Sequence, residues 1–146
     1  MNSSAKWSLF LIIIVFMGLN GCNFLNKYQR DGSLSLSGLK ESVKVLRDEK
    51  GMAYIYAGNS HDAQMAQGFV TAQDRLFQME LTRLFASGRI AELAGEDAIS
   101  IDTRMRTIGF YRNAKKHATL LDGKTRAFFQ SYIDGVNAFI KDQIDK

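Results

Sequence analysis

The stretch Asp62 to Ala86 repeats Ala66, Phe69/Val70, Gln73, Phe77, Glu80/Leu81 and Leu84 at helical spacing, with no proline to interrupt it. A helix of that length runs roughly 37 Å at ~1.5 Å per residue, so whatever else the chain builds must pack along it. Asn59-Ser60-His61-Asp62 supplies capping groups at its start, and the acid suits the helix dipole. Ser87-Gly88 supplies its stop. A short helix is expected from Ile90 to Ala94, ending at Gly95. A third, roughly Asp102 to Leu121, and a last one from Asp122-Gly123 carrying Phe128/Phe129, Tyr132, Val136, Phe139/Ile140 and Ile144 complete the helical part. The last stripe reads as core. No proline occurs anywhere in the 146 residues, which suits long helices better than a turn-rich sheet protein.

Ahead of the long helix, Ser42 to Leu46 and Met52 to Ala57 are β-branched and aromatic, separated by Arg47-Asp48-Glu49-Lys50-Gly51. Val43 and Val45 alternate with polar neighbours, as in a half-buried strand. Gly51 suits the positive φ of a hairpin turn. The expected class is therefore α+β, an N-terminal β-hairpin followed mostly by helices. The polar segment from Asn23 to Gly38 reads as a tether, in which Leu34 and Leu36 offer at most a short strand.

The first 22 residues, MNSSAKWSLFLIIIVFMGLNGC, have one cation, Lys6, before an apolar run from Trp7 to Met17. That run is shorter than the ~20 residues that span a bilayer and has the order of a secretory signal. It ends in Leu19-Asn20-Gly21-Cys22, which resembles the bacterial lipobox. Cys22 is the sole cysteine. Residues 1–21 are thus expected to be a lipoprotein signal peptide cleaved between Gly21 and Cys22, and residues 22–41 a lipidated cysteine and tether. Such a chain would be secreted across the bacterial inner membrane and lipid-anchored through Cys22, facing the periplasm or the outer envelope. An uncleaved signal anchor with an incidental cysteine is the alternative.

The formal net charge of +4 is small and interleaved with acids, so no nucleic-acid partner is expected. One cysteine and two histidines leave no multi-cysteine zinc site and little room for a His-based one. The sequence contains no GxSxG, HExxH, Walker loop or CxxC. His61 beside Asp62 suggests a base and its acid, but adjacent helical residues do not face each other and a cap-region surface role is preferred. His117 is expected to be exposed, Asp48-Glu49 to be solvated in a turn, and Asp134 and Asp142 to form no pair. Arg104, Arg106, Arg112, Lys115 and Lys116 read as a solvated basic face, a membrane-surface contact being the sharper alternative. Gln73, Asp74, Arg75 and Gln78 fall among apolar turns and are read as a buried polar network, Asp74 pairing with Gln78 or Arg75 with a distant carboxylate, a ligand-contacting helix being the alternative. Arg83 and Arg89 are expected to bond neighbouring segments.

The run VKVLRDEKGMAYIYAGNSHDAQMAQGFVTAQDRLFQMELTRLFASGRIAELAG resembles the start of the α-subunit of the penicillin acylase (penicillin amidase) family of N-terminal-nucleophile hydrolases. The resemblance is carried by Arg47, Asp48, Gly51, Gln73, Asp74, Arg75, Gln78, Glu80, Arg89 and Glu92 within these motifs, and continues through Asp102, Arg106, Gly109-Phe110 and Tyr132 to Phe139. Ala53-Tyr54 stand where members commonly have Pro-His. The resemblance implies a piece of an αββα fold, residues 42–146 forming the amino-terminal, incomplete part of an α-subunit. It implies hydrolysis of the amide of an acylated amine, a β-lactam side chain or an N-acyl homoserine lactone. The nucleophilic Ser and oxyanion donors would lie in the remaining α- and β-subunit segments of the same precursor, its expected partners. No catalytic or metal-binding residue is assigned here, and Ca²⁺ is expected only in a full-length member. Alone, the chain is expected to be inactive. The rival reading is a non-catalytic, membrane-anchored helical lipoprotein, or a decayed gene product, that binds a partner.

Palmitate supplied to cells making the chain is expected to label it, and Cys22→Ala to abolish the label. Equal labelling of both would end the lipobox reading.

Overall fold

The computed structural model describes residues 32–144, so the signal and lipobox residues, Gly21 and Cys22 included, lie outside the described part. The chain divides into two units, 1–34 and 35–146. Of the first, only residues 32–34 are described, and they are irregular and exposed. The second begins with the antiparallel hairpin, β1 (Lys44–Arg47) and β2 (Ala53–Tyr56), in register from Lys44 opposite Tyr56 to Arg47 opposite Ala53. Helices α1 (Ser60–Ser87), α2 (Ala91–Ala94), α3 (Ile99–Ile108), α4 (Phe110–Leu120) and α5 (Gly123–Ile144) follow, with a single 3₁₀ turn at Glu96–Ala98. The α+β order of hairpin then helices is as expected, and Leu34 and Leu36 form no strand. Among the described residues no helix is long and apolar enough to cross a membrane.

The packing is densest where α1 meets α5. A Cβ on Gly68 would overlap the carbonyl oxygen of Tyr132, and one on Gly135 would overlap that of Met65. Two glycines thus let the backbones approach to a separation that no other residue permits. Beside this crossing Phe69, Ala72 and Phe139 form the core, with Leu36, Leu76, Val136 and Ala138 packed against it. The Phe69 and Phe139 rings meet edge to face at 5.4 Å.

Three expectations are corrected. The single basic helix over Asp102–Leu121 is two, because Gly109 takes φ 82° in the left-handed region and caps α3 while α4 starts at once. The long helix is interrupted at Arg75 (φ −141°, ψ 21°), although neither proline nor glycine stands there. Burial is also less extensive than the apolar stripes imply. Val45 in β1, Phe77 in α1 and Phe128 and Phe129 in α5 are exposed, and on α5 it is Ser131, Gly135 and Phe139 that turn inward. Periodicity identifies an apolar face but not what covers it.

Gly68→Ala and Gly135→Ala each insert a methyl where a carbonyl already sits, and each is expected to cost about 3 kcal/mol. Urea unfolding of the full chain measures this, and the double variant is expected to fall short of the sum because both act on one crossing.

Candidate functional site

A buried polar site forms the start of α1. Asn59 caps the helix by accepting from the Asp62 amide at 2.9 Å, in extended backbone conformation. The Asp62 side chain is fully buried. Its Oδ1 accepts from the Lys40 amide at 2.9 Å and faces His61 Nδ1 at 2.9 Å, while Oδ2 accepts from the Glu41 amide at 2.9 Å and Asn59 Nδ2 at 2.7 Å. The acceptor-only carboxylate assigns the proton to Nδ1 of His61. Burial pushes the Asp62 carboxyl up, but the Lys40 amide, His61, Asn59 and the Glu41 amide outweigh it and hold the group well below the usual carboxylate range. The expectation that His61 and Asp62 do not face each other therefore fails. In the first turn the carboxylate leans back over the helix end, where its neighbour can reach it. With both oxygens engaged, the pair ties residues 40 and 41 to the start of α1.

Asp102 repeats the device. It is buried in the first turn of α3 and accepts from the Ile90 amide at 2.8 Å and the Ala91 amide at 2.9 Å, thereby capping α2. One turn on, Arg106 Nε donates to the Gly88 carbonyl at 2.8 Å.

The hairpin is fastened by Arg47. Its guanidinium donates to the Gly51 carbonyl, to both oxygens of Asp74 and to Gln73 Oε1, at 2.8–3.0 Å. Such a two-pronged contact fixes angle as well as distance. Asp48 builds the turn itself: its Oδ1 accepts from the Lys50 and Met52 amides, its Oδ2 from the Tyr54 hydroxyl, and Gly51 takes φ 80°. Asp48 is exposed yet spends its carboxylate on backbone.

The buried network expected around residues 73–78 is corrected. Asp74, Arg75 and Gln78 are exposed and Gln73 half-buried, because the polar groups lie along the side of α1 turned to the hairpin and solvent. Asp74 pairs with Arg47, not with Gln78. Arg75 reaches Gln78 on its own helix, at 3.4 Å. Arg83 and Arg89 also pair locally, with Glu80 and Glu92 three residues away. The Arg83 guanidinium holds the Glu80 carboxyl below its ordinary value, and Arg89 does the same to Glu92. His117 is exposed. Asp134 accepts from Gln130 and Asp142 from Gln143. The holding roles of Asp62 and Asp102 were not foreseen, although an acid in the first turn of a helix was the available signal.

Among the described residues no three His, Cys, Asp or Glu side chains gather in a cluster that could hold a metal ion.

The sequence matches the penicillin amidase family over residues 42–146. It is 44% identical over 109 residues to the penicillin acylase 2 proenzyme of Pseudomonas sp. (strain SE83), covering 75% of this chain and 14% of that protein. It is 37% identical over 137 residues to the acyl-homoserine lactone acylase QuiP of Pseudomonas aeruginosa, covering 89% and 16%. The chain thus spans a small part of the length of these relatives. Among solved structures, the thermostable penicillin G acylase from Alcaligenes faecalis superposes with a TM-score of 0.64 at 28% identity, over 72% of this chain and 56% of that one. The hairpin and helices are therefore those of an N-terminal-nucleophile hydrolase fold.

Asp62→Asn would set an amide nitrogen against one backbone N–H and one side-chain N–H, whichever oxygen it replaces, and it is expected to lower the Tm of the chain by several degrees at pH 7. Because the folded carboxyl is depressed, its contribution is complete above the ordinary value of about 4 and is lost as pH falls below it. The parent should lose Tm steeply over that acid range, and the variant much less steeply, by thermal melts from neutral to acid pH.

Proposed function

Because the chain belongs to the penicillin amidase family, we propose that it forms the amino-terminal scaffold of an amide hydrolase acting on acylated amines. The substrate class is a β-lactam side-chain amide or an N-acyl homoserine lactone, the two chemistries named by the relatives. What carries this reading is the match over residues 42–146 together with a hairpin whose two outer edges pair with no other described strand. Unpaired edges invite further strands, and the neighbouring Met52, Tyr54, Tyr56 and Phe77 present apolar surface, Phe77 at 72% exposure. Further α- and β-subunit segments of the same kind of precursor are the partners that fit these edges.

In this reading the chain holds no catalytic residue. The nucleophilic Ser, whose own α-amine acts as its base, and the oxyanion donors come from the partner segments. Calcium, where such an assembly holds it, is bound by oxygen ligands of those segments. Residues 1–21 direct secretion and Cys22 carries the lipid that keeps the assembly in the cell envelope.

The test is reconstitution. The chain is co-expressed with the part of a related proenzyme that follows the matched segment, and acid release is measured from phenylacetyl and acyl-homoserine amides. The pair is expected to exceed either part alone by at least about a thousandfold, since nucleophile and oxyanion donors act together. Turnover by the chain alone would overturn the scaffold role. The nucleotide sequence after codon 146 separates the rival: a continuation leading to a Ser-led subunit favours the enzyme, and a clean terminator favours a non-catalytic lipoprotein.

A further inference from the structure

Helix α4 faces solvent along its whole length. All of its residues, from Phe110 to Leu120, are exposed, Leu120 at 73%. Over residues 103–121 there are five Lys and Arg side chains and no acid. On the helix, Phe110, Ala114 and Ala118 lie along one side with Tyr111 and Lys115 at one border and His117 at the other, while Arg112 and Lys116 lie opposite. Arg47, Arg83 and Arg89 each have a carboxylate partner, whereas among the described residues Arg112, Lys115 and Lys116 have none. Asp122, just past the end of α4, accepts from the amide and hydroxyl of Thr125, and Glu80 and Glu92 are held by their arginines. Lys115 instead lies over the Tyr111 ring at 4.5 Å, and Arg126 closes the C-terminal end of the helix on the Ala118 carbonyl at 3.0 Å.

We propose that α4 docks on the surface of an anionic phospholipid bilayer, with Phe110, Ala114 and Ala118 at the acyl boundary and Arg112, Lys115 and Lys116 on the headgroups. Unpaired cations on the polar side of a helix whose other side is exposed and apolar are the chemistry that such a surface recognises. A nucleic acid would engage the cations but leave Phe110 and the alanines in water. The inference is independent of lipid at Cys22, because it rests on α4 alone.

The test uses the full chain carrying Cys22→Ala, which removes the sole cysteine. A single new cysteine, Phe110→Cys in one version and Glu49→Cys on the exposed hairpin turn in another, carries an environment-sensitive fluorophore. Vesicles of phosphatidylethanolamine with about 30% phosphatidylglycerol are compared with phosphatidylcholine vesicles. The label at 110 is expected to shift to the blue with the anionic vesicles only, and the label at 49 to stay unchanged. Reversing Arg112, Lys115 and Lys116 to Glu is expected to weaken the apparent vesicle affinity read at 110 at least about tenfold, as is raising the salt. An unmoved label at 110 on vesicle-bound chain, or an equal shift with neutral vesicles, would overturn the proposal. So would a concentration-dependent shift without vesicles, which would assign the face to a second copy, or an equal shift on adding duplex DNA.

Discussion

The placement of the long helix depends on a carboxylate that ought to be expensive. Asp62 has no contact with water, and an unpartnered charge in that position would not be tolerated. Two backbone amides, an asparagine amide and a histidine N–H meet its two oxygens, so the charge is distributed over four donors and the burial is offset. The consequence reaches beyond the helix end. Fixing Lys40 and Glu41 there aligns the preceding residues, and Leu36 can lie against Phe69, Ala72 and Phe139. It also sets where the chain enters β1. Asp102 fixes α2 to α3 in the same way, so two buried acids, each at the start of its own helix, organise both ends of α1.

The hairpin and α1 are then joined at a second level. Arg47 ends β1 with its guanidinium aimed at Asp74 and Gln73, and the break in α1 falls on the next residue, Arg75. The charged grip and the change of helix direction therefore coincide. The half of α1 before the break is buried on several sides by the close approach at Gly68 and Gly135. In the half after it Leu76 still packs on the core, but Phe77 and Leu81 are exposed before Leu84 is buried.

Much of this was legible in the sequence, and for identifiable reasons. The hairpin turn, the caps at Asn59 and Gly88 and the start of α5 follow from local chemistry, since each depends on residues within a few positions of each other. The family motif was legible because its residues are contiguous. What failed was long-range. Sequence spacing shows i to i+4 neighbours, which pairs Asp74 with its own helix, and not a strand 27 residues earlier. The clamp of Asp62 on residues 40 and 41 was invisible for the same reason. Gly109 was overlooked because one glycine within a basic helical pattern looks tolerable, while its positive φ is what ends α3.

The distribution of polar and apolar groups completes the argument. The described chain fixes its geometry with charges and backbone amides: Asp62, Asp102, Arg47 and Arg106 each join segments far apart in sequence. Its buried apolar residues are few and concentrate at one helix crossing, while Tyr54, Tyr56, Phe77, Phe85, Phe128 and Phe129 stay exposed. Directional bonds specify which way each element points, but they add little net stability because water competes for every partner. Apolar burial supplies most of the driving force for association and does not specify direction. A unit that spends its polar groups internally and leaves its aromatics outside is shaped before it is covered. That order suits a scaffold on which the strands of a larger sheet are laid.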